Sequence, residues 1–507
     1  MQPPEVPWSL FTAFSDRLTL LGLSITVFVL VFDFMKRRKK WSSYPPGPTS
    51  LPFIGNLSHV DFNDPLVSFA KLRKKFGNIF SLQFFWQNMV VVNGFEVMKE
   101  VLIHKSEEFA DRAHFPMMDL MGYKDNCQGV IAGRYGNAWK EQRRFALTTM
   151  RNFGLGKKSL EKRVIEEARY LCSAFESEEG CPFDPHHFIN NASSNVICSI
   201  TFGDRFEYDD KQFYRLLDLL KEHMEAATGF LPQLFNFIPW IRYIPGVRQK
   251  VLRPYFGLKS YIKEMAKEHK ETWDQAVTRD FVDAFLSEIE KTQDDSKSSF
   301  TEDNLILTTI DLFVAGTETT AITLYWCLLY MLLYPDIQGR VQREIDRVIG
   351  HSRSPAIEDQ ANMPYTNAVI HEVQRNGDVA PLAVPHMTYR DTEIQGFFIP
   401  KGTTVMTNLS SVLKDETVWE KPHQFYPEHF LDSDGNFVKN EAFLPFSAGR
   451  RVCLGEQLAR VELFIFFTSL MQHFTFTIPD NQPKPRDEPV YHLLQSPHHF
   501  KICATVR

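Results

Sequence analysis

No Gly-x-Gly-x-x-Gly string occurs anywhere in the 507 residues, so the chain lacks the glycine turn that seats a dinucleotide pyrophosphate at a helix start. Cysteine is sparse and unpaired in sequence: Cys127, Cys172, Cys181, Cys198, Cys327, Cys453 and Cys503 stand far apart. That spacing excludes a disulfide framework and a zinc ribbon and fits a reducing setting. Positive charge is not in excess, with 56 Lys and Arg against 62 Asp and Glu, and the net charge of −6 argues against general nucleic-acid binding. Neither a Gly/Ser/Pro linker nor an internal repeat divides the chain, which favours one large domain.

What is present begins with an apolar run from Leu18 to Phe32, preceded by Asp16 and Arg17 and followed by Lys36-Arg37-Arg38-Lys39-Lys40. A cleaved secretory signal carries its positive charge before the apolar stretch, and here the charge follows it. The pattern predicts a lumenal N-terminus over 1–17, a membrane anchor over 18–35, a basic and proline-rich linker over 36–52 and a cytosolic domain over 53–507. Within the linker, Tyr44-Pro45-Pro46-Gly47-Pro48 is held extended by its prolines. Asn56-Leu57-Ser58, Asn191-Ala192-Ser193 and Asn408-Leu409-Ser410 are glycosylation acceptors by pattern, expected to stay bare in a cytosolic domain.

A second apolar stretch, Leu305 to Leu333, carries Asp311, Glu318 and several threonines, which suits a long core helix better than a membrane span. Ser299 with Glu302 offers a capping box at its start and Pro335 a stop. On one face lie Asp311, Ala315, Glu318 and Thr319, with Ala315 and Gly316 small enough to leave room beside the helix. Two readings of Asp311 stand open: it meets a ligand, or it accepts backbone N–H bonds from the loop around Tyr123 to Gln128. Short strand-like runs at Phe80–Leu82, Met89–Val92 and Thr403–Met406 complete a fold class that is mostly α with small β-sheets.

The most informative string is Phe446-Ser447-Ala448-Gly449-Arg450-Arg451-Val452-Cys453-Leu454-Gly455. It sets one cysteine between two glycines, behind basic residues and before an apolar helix, where unpaired amides and the helix dipole favour a thiolate. Trp139 and Arg143 share a helical face, as do Glu372 and Arg375. Lys140, Arg143, Arg144, Lys439 and Arg450 make a candidate basic docking face.

The string meets the Phe-x-x-Gly-x-Arg-x-Cys-x-Gly pattern in full and resembles the haem-binding loop of the cytochrome P450 superfamily. Across nearly the whole chain the resemblance is closest to microsomal family 2, subfamily D, carried by strings such as Phe206-Glu207-Tyr208-Asp209-Asp210 and Asn408-Leu409-Ser410-Ser411-Val412-Leu413-Lys414-Asp415. It implies the P450 fold behind one transmembrane helix, and haem b held by the Cys453 thiolate. Arg112, Trp139, Arg143, Ala315, His386, Phe446, Ser447, Arg451 and Gly455 are the implied cofactor neighbours. Thr319 and Glu318 are the implied proton-delivering alcohol and acid, Tyr123, Asp311 and Ala315 pocket residues, and Glu372–Arg375 a buried structural pair.

The activity so implied inserts one oxygen atom from O₂ into apolar or amine-bearing xenobiotics, fatty acids or steroids at the endoplasmic reticulum membrane. NADPH–cytochrome P450 reductase would supply the electrons and cytochrome b5 would be a second donor. A haem-thiolate isomerase or dehydratase and a non-catalytic haem-binding protein are the alternatives. Three departures from the commonest pattern occur: Asn376 in place of an aromatic residue, His429 in place of an arginine, and Ala227 where amine-preferring relatives carry a carboxylate.

Overall fold

The computed structural model describes residues 19–32, 44–113, 115–124, 127, 129–153, 158–228, 235–236, 238, 241 and 243–507. The basic run Lys36 to Lys40, the anchor's flanks and Gly229-Phe230 lie outside these. Thr19–Phe32 is a short apolar helix with exposed side chains, as an anchor requires.

Eight helices position the site: α1 (Asn137–Asn152), α2 (His186–Thr201), α3 (Lys211–Thr228), α4 (Val247–Glu271), α5 (Phe281–Lys291), α6 (Glu302–Leu333), α7 (Pro364–Gly377) and α8 (Glu456–His473). A five-stranded sheet in the order β1-β2-β5-β4-β3 flanks them, built from β1 (Ile79–Phe84), β2 (Gln87–Val92), β3 (Asp111–Arg112), β4 (His386–Met387) and β5 (Thr404–Thr407). The three strand-like runs read from the sequence are β1, β2 and β5 of this one sheet. β2 and β5 pair in parallel, so their apolar runs are covered on both faces: Val90, Val91, Val92 and Val405 are all buried.

The long helix α6 is long and apolar enough to cross a membrane, yet 67% of its most apolar window is buried inside the protein. Its start differs from the capping box expected at Ser299. Thr301 is the N-cap and accepts the Asn304 N–H at 3.1 Å, because Ser299 is committed elsewhere. The Ser299 carbonyl accepts from Gln142 and Asn304, and its hydroxyl donates to Glu141. The two small residues of α6 also divide their tasks. A Cβ on Gly316 would lie 2.3 Å from the Ile197 side chain, so this glycine lets α2 press against α6. Only Ala315 is exposed, in the middle of a helix whose flanks are packed.

At the far end of α6 the departure at Asn376 is resolved by a hydrogen bond: its Nδ2 donates to the Tyr330 hydroxyl at 2.8 Å, and Tyr330 stacks on Phe425 with ring centroids 4.2 Å apart. The three glycosylation acceptors are buried. The Asn56 carboxamide bonds Pro48 and Gln83, the Asn408 carboxamide bonds Asn93, and Asn191 lies inside α2. Bare asparagines therefore follow from folding in either compartment, and only a glycan at one of them would report topology.

Candidate active site

The cysteine loop is shaped by its backbone before any side chain matters. Gly449 sits at φ +72°, and a Cβ there would overlap the Leu102 carbonyl oxygen, so the turn admits glycine alone. Ser447 is also left-handed at φ +60°, and its hydroxyl is buried without a hydrogen-bond partner among the described residues. Cys453 follows, its N–H donating to the Phe446 carbonyl at 3.0 Å. The side chain is exposed although protein surrounds it, so it lines an internal opening. Among the described residues beyond its chain neighbours, that sulfur alone comes within 4 Å of a Cβ added at Gly455, at 3.9 Å.

The amides of Gly455 and Glu456, at the start of α8, point at Sγ, and Arg143 adds positive charge. Burial nevertheless pushes the thiol above its ordinary range. Against that burial the two amides and Arg143 favour the thiolate, and a metal ion bound at Sγ would favour it further.

Arg112, Arg143 and Arg451 gather beside this loop. Arg112 donates to the carbonyls of Ile131, Val384 and Pro385, Arg451 to those of Ala110, Val130 and Gly133, and Arg143 to that of Val452. Burial, with mutual repulsion added, depresses the guanidinium pKa values of Arg112 to about 9 and of Arg451 to about 8. The nearest carboxylate, Asp111, is saturated by a bidentate bond from Arg134 and by the N–H groups of Arg112 and Tyr135. Three partly or wholly buried cations facing only carbonyls form a cradle for an anionic group, as the two propionates of haem b require. The orphaned Ser447 hydroxyl beside the exposed thiol fits the same cofactor.

Two residues expected to bind anions are engaged differently. The Trp139 indole N–H donates to the Val130 carbonyl at 3.0 Å, and the ring instead carries the Arg451 guanidinium 3.8 Å above its centroid. His386 donates from Nδ1 to the Phe109 carbonyl and is held neutral by burial and by Arg112, so Nε2 presents an acceptor. Arg143, placed on a docking face by sequence, turns inward; Lys140, Arg144, Lys439 and Arg450 are exposed.

The candidate site residues Asp311, Ala315, Glu318 and Thr319 lie on α6. Thr319 donates to the Ala315 carbonyl at 2.6 Å, and Thr323 to the Thr319 carbonyl, the usual bond of a helical threonine. Glu318 is half-buried, its carboxyl raised by desolvation and drawn back by Lys221 of α3, a neighbour that no sequence motif announced. Asp311 Oδ2 accepts the N–H groups of Val130 and Ile131 at 2.7 and 3.0 Å. The loop-bonding reading was therefore right in kind but placed the partners a few residues early. Gly129, at φ +62°, brings the chain so close that a Cβ would meet this carboxylate at 2.3 Å. Among the described residues Oδ1 has no hydrogen bond, and Tyr123 stands near enough for Asp311 to help raise its phenol.

Burial lifts the Asp311 carboxyl to about 7, against backbone bonds that favour its charge. A folded-state pKa above the unfolded one means that the folded chain holds more protons between about pH 4 and 7, so this group costs stability as pH rises through that window. Asp311→Asn is expected to remove the cost: thermal melts at pH 5 and pH 8 should differ less for the variant than for the parent. An equal pH response in both would contradict it.

Away from the opening, Glu372 and Arg375 of α7 are wholly buried and joined by two bonds of 2.7 Å. Arg375 also donates to the carbonyls of Leu413, Pro422 and Gln424. His429 adds a bond from Nδ1 to Glu372 at 3.1 Å while its Nε2 accepts the Lys421 N–H, an arrangement that only the neutral ring permits.

The family model described as Cytochrome P450 matches residues 45–504. Cytochrome P450 2D15 of Canis lupus familiaris and Cytochrome P450 2D6 of Homo sapiens are each 53% identical over 97% of this chain and 99% of their own. A Vitamin D(3) 25-hydroxylase of Sus scrofa is 52% identical over the same shares. A thiol at a helix mouth, an arginine cradle wanting anions and a threonine-bearing helix thus meet in a chain that belongs to the cytochrome P450 family, in family 2, subfamily D, and is a haem-thiolate monooxygenase.

Proposed function

We propose that Cys453 is the axial thiolate and that the chain oxidises apolar, in part amine-bearing, small molecules at the cytosolic face of the endoplasmic reticulum. The observation that carries the reading is the juxtaposition of an accessible thiol, receiving two helix-start amides, with three arginines whose guanidinium groups bond no carboxylate among the described residues. Haem, when bound, supplies the activation of O₂ and the oxidising power. Arg112, Arg143 and Arg451 would hold its propionates, Ser447 and Gly455 would border it, Phe446 fixes the loop through its carbonyl, Trp139 carries Arg451, and His386 would stand beside Arg112 as a neutral neighbour of the cofactor.

Thr319 and Glu318 move protons into the opening. Thr319 holds its proton on the Ala315 carbonyl, and Glu318, whose carboxyl burial raises and Lys221 draws back, is the acid that can return one. Thr319→Ala is expected to keep haem and accept electrons but to divert them to peroxide, lowering product per NADPH about tenfold, within the range of a lost acid–base group. Measuring NADPH, peroxide and product together tests it, and an unchanged coupling ratio would move the proton path elsewhere.

Substrates pass Ala315, and Tyr123 and Asp311 line the same side. The Asp311 Oδ1, which bonds nothing among the described residues, suits a protonated amine, while the absence of a second carboxylate at Ala227 leaves room for neutral lipids and steroids, in keeping with the name of the pig relative, a Vitamin D(3) 25-hydroxylase. Electrons come from NADPH–cytochrome P450 reductase, with cytochrome b5 as a second donor, docking on the face of Lys140, Arg144, Lys439 and Arg450. The deciding experiment is turnover of a matched amine and neutral substrate pair with reconstituted reductase. Product that requires both NADPH and O₂ supports the monooxygenase reading, and loss of the amine alone in Asp311→Asn supports amine recognition.

A further inference from the structure

The corner between α4 and α5 draws three potential metal ligands together, none of them part of the active site. His269 lies in the last turn of α4, Asp280 is the N-cap of α5, and Asp283 stands in its first turn. His269 Nε2 is 2.8 Å from Asp280 Oδ2 and 3.1 Å from Asp283 Oδ1, and both carboxylates are fully buried. Asp280 Oδ1 accepts the Asp283 N–H as the helix cap. Among the described residues its Oδ2 has no hydrogen-bond partner, and it is aimed at the imidazole.

The three groups cannot all be satisfied by one proton. Arg279 donates from Nε to Asp283 Oδ2 at 2.7 Å and from a terminal nitrogen to Oδ1 at 2.8 Å, and that same nitrogen lies 3.2 Å from His269 Nε2. Nε2 therefore faces one donor and two acceptors. A proton on it opposes Arg279; a lone pair on it opposes both carboxylates. One divalent cation satisfies the nitrogen and both oxygens together. It requires only that the terminal nitrogen of Arg279, a side chain 36% exposed, move aside, and the Nε bond to Oδ2 can stay. Ligand atoms about 2.0–2.2 Å from a tetrahedral zinc ion stand roughly 3.3 Å apart, so the observed separations need to open by only a few tenths of an ångström.

We propose that His269, Asp280 and Asp283 form a zinc site, with one imidazole nitrogen, two carboxylate oxygens and a water as the fourth ligand. Occupied, it fastens the end of α4 to the start of α5 and stiffens this corner without entering the oxidation chemistry.

The test uses the haem-loaded full chain, freed of loose metal by a chelator and dialysed against zinc chloride. One zinc per chain is expected, with a higher melting temperature on addition of the ion. Asp280→Asn keeps the cap, since asparagine caps a helix as well as aspartate does, and should weaken zinc binding roughly tenfold or more. His269→Gln should do the same and decides the matter alone if the first variant folds poorly. His499→Gln, at an exposed histidine elsewhere, should leave this binding unchanged. In a zinc-soaked crystal the anomalous peak should lie within about 2.2 Å of the three atoms. The proposal is overturned if the parent takes up no zinc at about 100 µM, or if both His269→Gln and Asp280→Asn bind as the parent does.

Discussion

Replacing Cys453 by serine is expected to abolish the strongly red-shifted Soret band that the reduced, CO-bound protein should show, and with it all NADPH-dependent turnover. The substitution exchanges one small atom in a loop fixed by Gly449 against Leu102 and by the Cys453 N–H bond to Phe446, so the fold should survive. What is lost is the soft, charge-donating ligand, which an alcohol does not replace. Three of the other cysteines are poor substitutes on physical grounds. Burial pushes the Cys127 thiol up to about 11 and that of Cys172 up to about 12, and it also raises the thiol of Cys198, inside α2. Absorption spectra of the variant, with thermal melting as the control for folding, check the expectation. Persistence of the band would remove Cys453 as the ligand.

The second large effect is expected from Arg375→Ala. Removing this cation strands the Glu372 carboxylate in a site that water does not reach, and three carbonyls lose their donor at once. Breaking a buried pair from one side costs about 3–5 kcal/mol, a large part of the stability of an ordinary domain. His429 gives little relief, because as a neutral ring it brings no charge to replace the one removed. The variant should yield little or no haem-loaded protein, read from the CO-difference spectrum per milligram of expressed chain. A yield like the parent's would show that the pair is dispensable.

Features set by local chemistry were readable in advance. The cysteine loop, the long helix and the three strands announce themselves through glycine placement, apolar length and alternation, and the Glu372–Arg375 spacing needs only the pitch of a helix. Features set by what lies across a contact were not. Ser299 has the look of a cap, yet Glu141, far off in sequence, claims its hydroxyl and the cap passes to Thr301. Gly316 resembles part of an opening until Ile197 is seen against it. For Asp311 a ligand and a loop both stand open in sequence, and the register of the loop it does bond depends on Gly129, which cannot be counted from α6. The Trp139 N–H and the His386 proton are likewise spent on carbonyls from elsewhere in the chain. Glu462, a carboxyl buried in α8 and eased there by Thr320 of α6, gave no sequence signal beyond a charge in an apolar helix.

The neighbours Ala315 and Gly316 carry opposite liabilities. A methyl group added at 316 is paid in stability by the contact with Ile197, whereas Ala315, its neighbour, is exposed. With Ala315 bordering the substrate as proposed, taste and sturdiness would be written one residue apart along the same helix. Descendants of this chain could then alter the shape of what they oxidise through position 315 while the joint between α2 and α6 stays under separate selection, so that diversification of diet need not erode the scaffold.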